Sequence, residues 1–160
     1  FVIAASPDVK ECAFRAAAGK PGIHVVRGRV YDVMASSDIL ITASGTATVE
    51  AAIIGTPMVV TYVVNPVTLA LFLPLIRINQ FAMVNIIAGR EIMPERYQWK
   101  AIPELIAREA LAILEGGRLP EMKAQLADVR AKLGAPGASL RAAREILNTL
   151  SSSSDALRIV

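Results

Sequence analysis

The chain has 160 residues, enough for one domain with a sizeable core. Its hydrophobic fraction is 54% with only 5% aromatic, its mean hydropathy is +0.48, and its net charge of +3 is small and scattered. That balance suits an anionic ligand or a membrane surface; it speaks against a nucleic-acid binder, while one Cys and one His exclude an intrachain disulfide and speak against a Cys/His metal site.

Phe1 to Ala5 reads as a strand, and the chain opens inside that apolar run without a Met or a signal peptide, as a piece of a longer protein would. Pro7 to Ala18 reads as a helix with Pro7 in its first turn and Cys12 packed within it. Lys20-Pro21-Gly22 is a turn, and Ile23 to Val26 a second strand in which His24 is structural. Arg27-Gly28-Arg29 is a loop, followed by a helix over Val30 to Ser36. Strands are expected at 38–42 and 58–62, because both runs are short, apolar and rich in β-branched residues.

Between them lies "SGTATVEAAIIGTPMVV", residues 44–60. Ser44-Gly45-Thr46 breaks the strand, since Ser and Thr cap helices and Gly admits a close approach. Ala47 to Ile54 forms a helix of two turns, Gly55 ends it, and Pro57 opens the next strand. The stretch is one βαβ unit whose helix begins at the carboxyl end of a strand. Ligands bind there in an open parallel sheet, and free N–H groups with the helix dipole favour a phosphate. Glu50 does not complete a capping box, because Ala47 stands three residues before it. It is either a solvated carboxylate on the outer face or an acceptor for sugar hydroxyls beside a bound anion.

From Ala51 to Ile76, 26 positions carry no charge, but Pro57, Pro66 and Pro74 speak against a single membrane-spanning helix. A short helix is expected from Pro66. The apolar run "VTLALFLPLI" either packs in the core or meets lipid or a partner. Phe81 to Val84 reads as a strand, with Asn85, Gly89, Arg90 and Glu91 just past its end. Arg90 is then a ligand contact or a surface ion pair with Glu91 or Glu95. Helices follow at Pro103 to Glu115, Pro120 to Leu133 and Ser139 to Leu150, with Leu140, Ala143, Ile146, Leu147 and Leu150 on one face of the last. Residues 1–150 are expected to form the domain and 151–160 a Ser-rich tail. The alternation of strands and helices predicts an α/β fold with a parallel sheet flanked by helices.

"ASGTATVEAAIIGTPMVVTYVVNPVT" and "VNIIAGREIMPE" together resemble the lipid-A-disaccharide synthases, inverting glycosyltransferases of the GT-B fold. The likeness covers about residues 1–150 and corresponds to that family's C-terminal half, a Rossmann-like domain that binds the donor nucleotide. The resemblance implies transfer of 2,3-diacylglucosamine from its UDP conjugate to the lipid acceptor 2,3-diacylglucosamine 1-phosphate. UDP is then the leaving group, and no metal or cofactor takes part, the UDP-sugar being a substrate. It implies that Ser44, Gly45 and Thr46 face the diphosphate and that Glu50 accepts from the ribose diol, where a carboxylate accepts twice. Asn85 and Arg90 would lie near the donor sugar or its phosphates and stabilise charge on departing UDP. Arg27 and Gly28 are the expected contact for the uracil edge.

The resemblance also puts the catalytic base on an absent N-terminal domain, so no residue of this chain is assigned as base, and the isolated chain is expected to be inactive. The implied setting is cytoplasmic, peripheral at the inner-membrane surface of a Gram-negative-type bacterium, without nucleic acid and with a homo-oligomer open. The alternatives are another GT-B enzyme using UDP-GlcNAc, or a membrane-associated interaction domain that has lost the chemistry.

Overall fold

The computed structural model describes residues 1–17, 19–72 and 80–156. It is an α/β fold of parallel strands flanked by helices, in two compact units, Phe1–Arg130 and Ala131–Val160. The first unit holds all the strands described, and they form two sheets rather than a single one. β1 (Val2–Ala5) pairs in parallel with β2 (His24–Arg27), with Ala5 opposite Arg27. β3 (Leu40–Ala43), β4 (Met58–Tyr62) and β5 (Glu95–Tyr97) form the second sheet in that order, also parallel.

β4 is the middle strand, and Met58, Val59 and Val60 are buried. An apolar run without alternation is what a strand covered on both faces needs. α1 (Val30–Ser36) has the bounds its sequence predicts. α2 (Thr46–Ile54) starts one residue earlier than expected and stops where Gly55 takes φ +92°. At that φ a side chain is strained, and the Gly55 and Thr56 N–H groups both donate to Ala51 O. Thr56 Oγ1 donates to Met34 O at 2.8 Å and ties this turn to the end of α1. α2 buries Thr48, Ala51 and Ala52, so its inward face is made of small side chains that let it pack close.

α3 (Pro66–Phe72) starts at the expected proline. Residues 73–79, and with them the rest of the apolar run and Arg77, lie outside the described residues. α5 (Pro103–Glu115) has the predicted bounds, with Pro103 in its first turn. α6 (Leu119–Leu133) places Met122, Leu126 and Val129 in the same buried cluster as Ile113 of α5 and the β4 side chains. In the second unit, α7 (Ala138–Ala156) continues past Leu150, so residues 151–154 are helical. Its Leu140, Ile146, Leu147 and Leu150 are exposed.

Two expected elements are different. The expected helix from Pro7 to Ala18 is not an α-helix over its described residues 7–17; among these a 3-10 turn forms at Glu11–Phe14, with no buried residue in it and with Cys12 exposed. Phe81 to Val84 is not a strand: α4 (Met83–Ala88) begins there, and the third strand of the sheet is β5, which starts at Glu95. The apolar run of 81–84 is too short to separate the two periodicities.

Candidate functional site

The sheet β3–β4–β5 sends β3 into α2 through Ser44-Gly45, so α2 begins at the carboxyl end of β3. Gly45 adopts φ +153° and ψ −161°, a conformation open almost only to glycine. No side chain caps α2. Thr48 folds back on the turn, its N–H and Oγ1 donating to Gly45 O at 3.1 and 2.8 Å. The N–H groups of Gly45, Thr46 and Ala47 have no acceptor among the described residues. Three N–H groups without an acceptor at the positive end of a helix are an arrangement that favours an anion.

Ser44 does not supply a hydroxyl to that site. Its Oγ donates to Phe81 O at 2.9 Å and its N–H to Thr61 O at 3.2 Å. Its part is to hold the turn in place. Thr46 is exposed at the first position of α2, and Glu50, four residues on, shares its face. The Glu50 side chain is half-buried and its carboxylate has no hydrogen bond or ion pair among the described residues. A partly covered carboxylate without a partner retains its full capacity to accept from a ligand.

Asn85 is placed otherwise than its sequence position implies. It is fully buried, and all four of its hydrogen-bonding sites are used inside the protein. Nδ2 donates to Met93 O and to Glu95 Oε1, each at 2.7 Å, while Oδ1 accepts from the N–H groups of Ile92 and Met93, each at 2.9 Å. A carboxamide so engaged has nothing left for a sugar or a phosphate. The expectation for Asn85 as a ligand contact is corrected to an internal tie between α4 and the segment entering β5.

Arg90 is exposed, without an ion pair among the described residues, Glu91 and Glu95 included. It follows the carboxyl end of α4, whereas Phe81, at the other end of that helix, meets Ser44. A six-residue helix separates these ends by about 9 Å. Arg90 is therefore not brought to the Ser44–Thr46 turn by any described contact. Arg27 and Gly28 each make a contact within the first unit. Arg27 Nη1 donates to Val9 O at 2.8 Å and its guanidinium lies over the Phe14 ring, and the Gly28 N–H donates to Ala5 O at 3.1 Å. These bonds engage one of the five guanidinium N–H donors of Arg27 and the backbone N–H of Gly28.

Sequence reasoning missed Glu95, reading it only as a surface partner for Arg90. It is 9% exposed, and its carboxylate accepts from Phe81 N–H at 2.8 Å, Ala82 N–H at 3.1 Å and Asn85 Nδ2. The available signal was its place directly after the apolar Ile92-Met93-Pro94, where a solvated carboxylate does not belong. Gln98 was missed as well. In a left-handed conformation (φ +54°), it grips the Val64 peptide with Oε1 accepting at 3.0 Å and Nε2 donating at 3.2 Å.

The family model described as lipid-A-disaccharide synthetase matches residues 4–145. A protein named lipid-A-disaccharide synthase from Solibacter usitatus is 46% identical over 151 residues, covering 91% of this chain and 40% of that protein. Its namesake from Syntrophus aciditrophicus is 43% identical over 129 residues, covering 80% and 34%. Another from Geobacter metallireducens is 42% identical over 127 residues, covering 79% and 33%. The chain thus spans well under half the length of these relatives.

Proposed function

The chain belongs to the lipid-A-disaccharide synthetase family, and on that premise we propose that it is the donor-binding half of a glycosyltransferase. The donor is the UDP conjugate of 2,3-diacylglucosamine, the acceptor 2,3-diacylglucosamine 1-phosphate, and the product a β-1,6-linked disaccharide. The observation that carries the reading is the uncapped start of α2: the N–H groups of Gly45, Thr46 and Ala47 have no acceptor among the described residues, nor has the Glu50 carboxylate, one turn along the same face, a partner among them. The N–H groups take the diphosphate. Glu50 accepts from both ribose hydroxyls, and bonds to an ionised acceptor are the stronger kind.

Supporting the leaving diphosphate lowers the barrier only where the donors are already in place, as they are on a turn tied to Phe81 and Thr61. An inverting transfer also needs a base beside the acceptor hydroxyl. This reading assigns the base, the acceptor site and the contact with the inner-membrane surface to the part of the relatives' length that the chain does not span. Among the described residues no helix is long and apolar enough to cross a membrane.

Calorimetric titration with UDP, UMP, ADP and 2′-deoxy-UDP tests the reading, with Glu50→Ala beside the unaltered chain. The unaltered chain is expected to prefer UDP. Glu50→Ala should lose at least about tenfold in UDP affinity, since both charged hydrogen bonds to the ribose go, and with them the preference over 2′-deoxy-UDP. Equal affinities for all four ligands would remove the donor-site reading and leave a domain without the chemistry. An unchanged preference for UDP over 2′-deoxy-UDP in Glu50→Ala would remove the ribose role alone.

A further inference from the structure

We infer that Glu95 is a positioning residue for the anion-binding turn, acting through Phe81 on Ser44. The inference rests on the reading of that turn as a diphosphate site and deepens it. Glu95 is nearly buried and has no ion pair among the described residues. The neighbouring Arg96 is turned to Glu109 instead. An ionised carboxylate placed there without a counter-charge needs several donors to offset its desolvation. It has them in the Phe81 and Ala82 N–H groups and Asn85 Nδ2.

All three donors converge, so only a side chain that accepts at both of its oxygens satisfies them. A glutamine of the same shape would turn an NH2 group toward an N–H and leave that donor unpaired. The result is a fixed peptide at 81–82. Its carbonyl on the far side, Phe81 O, accepts from Ser44 Oγ at 2.9 Å. The Phe81 ring packs on Tyr97, with centroids 4.9 Å apart, so Phe81 is held against β5 by its ring as well as its N–H. Ser44 in turn is the residue immediately before the free donors of Gly45, Thr46 and Ala47. The chain of contacts runs from β5 through Phe81 to the start of α2, and it fixes the direction of those donors before a ligand arrives. Preorganised donors bind more tightly than donors that must first be ordered.

The test uses Glu95→Gln, Ser44→Ala and the double variant in the full chain, with two readouts. The first is amide hydrogen exchange without ligand. Glu95→Gln is expected to speed exchange at Phe81 and Ala82 and also at Ser44 and Thr48, whose N–H groups are bonded within the turn. Faster exchange confined to residues 81–95 would overturn the inference. The second is affinity for UDP against uridine, which lacks the phosphates. Glu95→Gln should lower UDP affinity about tenfold and uridine affinity less than about twofold.

Because both residues act through Phe81, the double variant should bind UDP no more weakly than Glu95→Gln alone. Additive losses, or equal losses for UDP and uridine, would show general loosening and overturn the inference. Should the unaltered chain not prefer UDP over uridine, the diphosphate reading fails, and the exchange experiment still decides the positioning role. Should Glu95→Gln not fold, Ser44→Ala decides: faster exchange at Phe81 upholds the link, and unchanged exchange overturns it.

Discussion

Replacing Asn85 by alanine separates a tie within the fold from a ligand contact. The side chain is wholly buried and makes four hydrogen bonds of 2.7 to 2.9 Å. Alanine leaves the N–H groups of Ile92 and Met93 without their acceptor in a segment that is itself buried. Each orphaned buried donor costs about 1–3 kcal/mol. Met93 O loses one donor, and Glu95 loses one of three. With the small cavity left behind, the expected loss is about 3–5 kcal/mol, a large share of the roughly 5–15 kcal/mol that holds a domain. Urea unfolding followed by far-UV circular dichroism measures it, with the m value compared between the two chains so that the midpoint shift reports stability. Asn85→Asp keeps the acceptor for Ile92 and Met93 but faces Glu95 and Met93 O with an oxygen where a donor stood. It should be no more stable than the alanine variant near neutral pH. A loss below about 1 kcal/mol for Asn85→Ala, together with a clear fall in UDP affinity, would refute this reasoning and return Asn85 to the ligand.

Gly45→Ala meets no atom within 4 Å of the added Cβ, so its effect is backbone strain alone. The expected loss is about 1–3 kcal/mol in thermal unfolding, with weaker UDP binding as the turn relaxes away from φ +153°. Unchanged stability would mean that the turn does not need glycine. Arg90→Ala should change UDP affinity less than about twofold, because Arg90 lies a helix length of about 9 Å from the end of α4 that meets Ser44. A tenfold loss in the same titration would place its guanidinium on the phosphates after all.

The sequence by itself determined the elements whose signals are local. Gly55 and Pro57 bound α2 and β4, Pro66 and Pro103 open α3 and α5, and the uncharged β-branched run of 58–62 marks the middle strand. The Ser44–Thr46 turn and Glu50 were legible for the same reason, since glycine, a helix start and a lone carboxylate lie within seven residues. The nature of 81–88 was not, because a short apolar run fits either period, and β5 is three residues long, too short to show one. Only the tertiary structure decided which polar groups are spent. The partners of Glu95 at Phe81 and Ala82 lie 14 and 13 residues away, and Ser44 reaches Phe81 across 37. Hydrogen-bond satisfaction is a property of the packed neighbourhood, not of the local chain. That is why Asn85 and Glu95, polar in sequence, are structural ties, while the Glu50 carboxylate has no partner among the described residues.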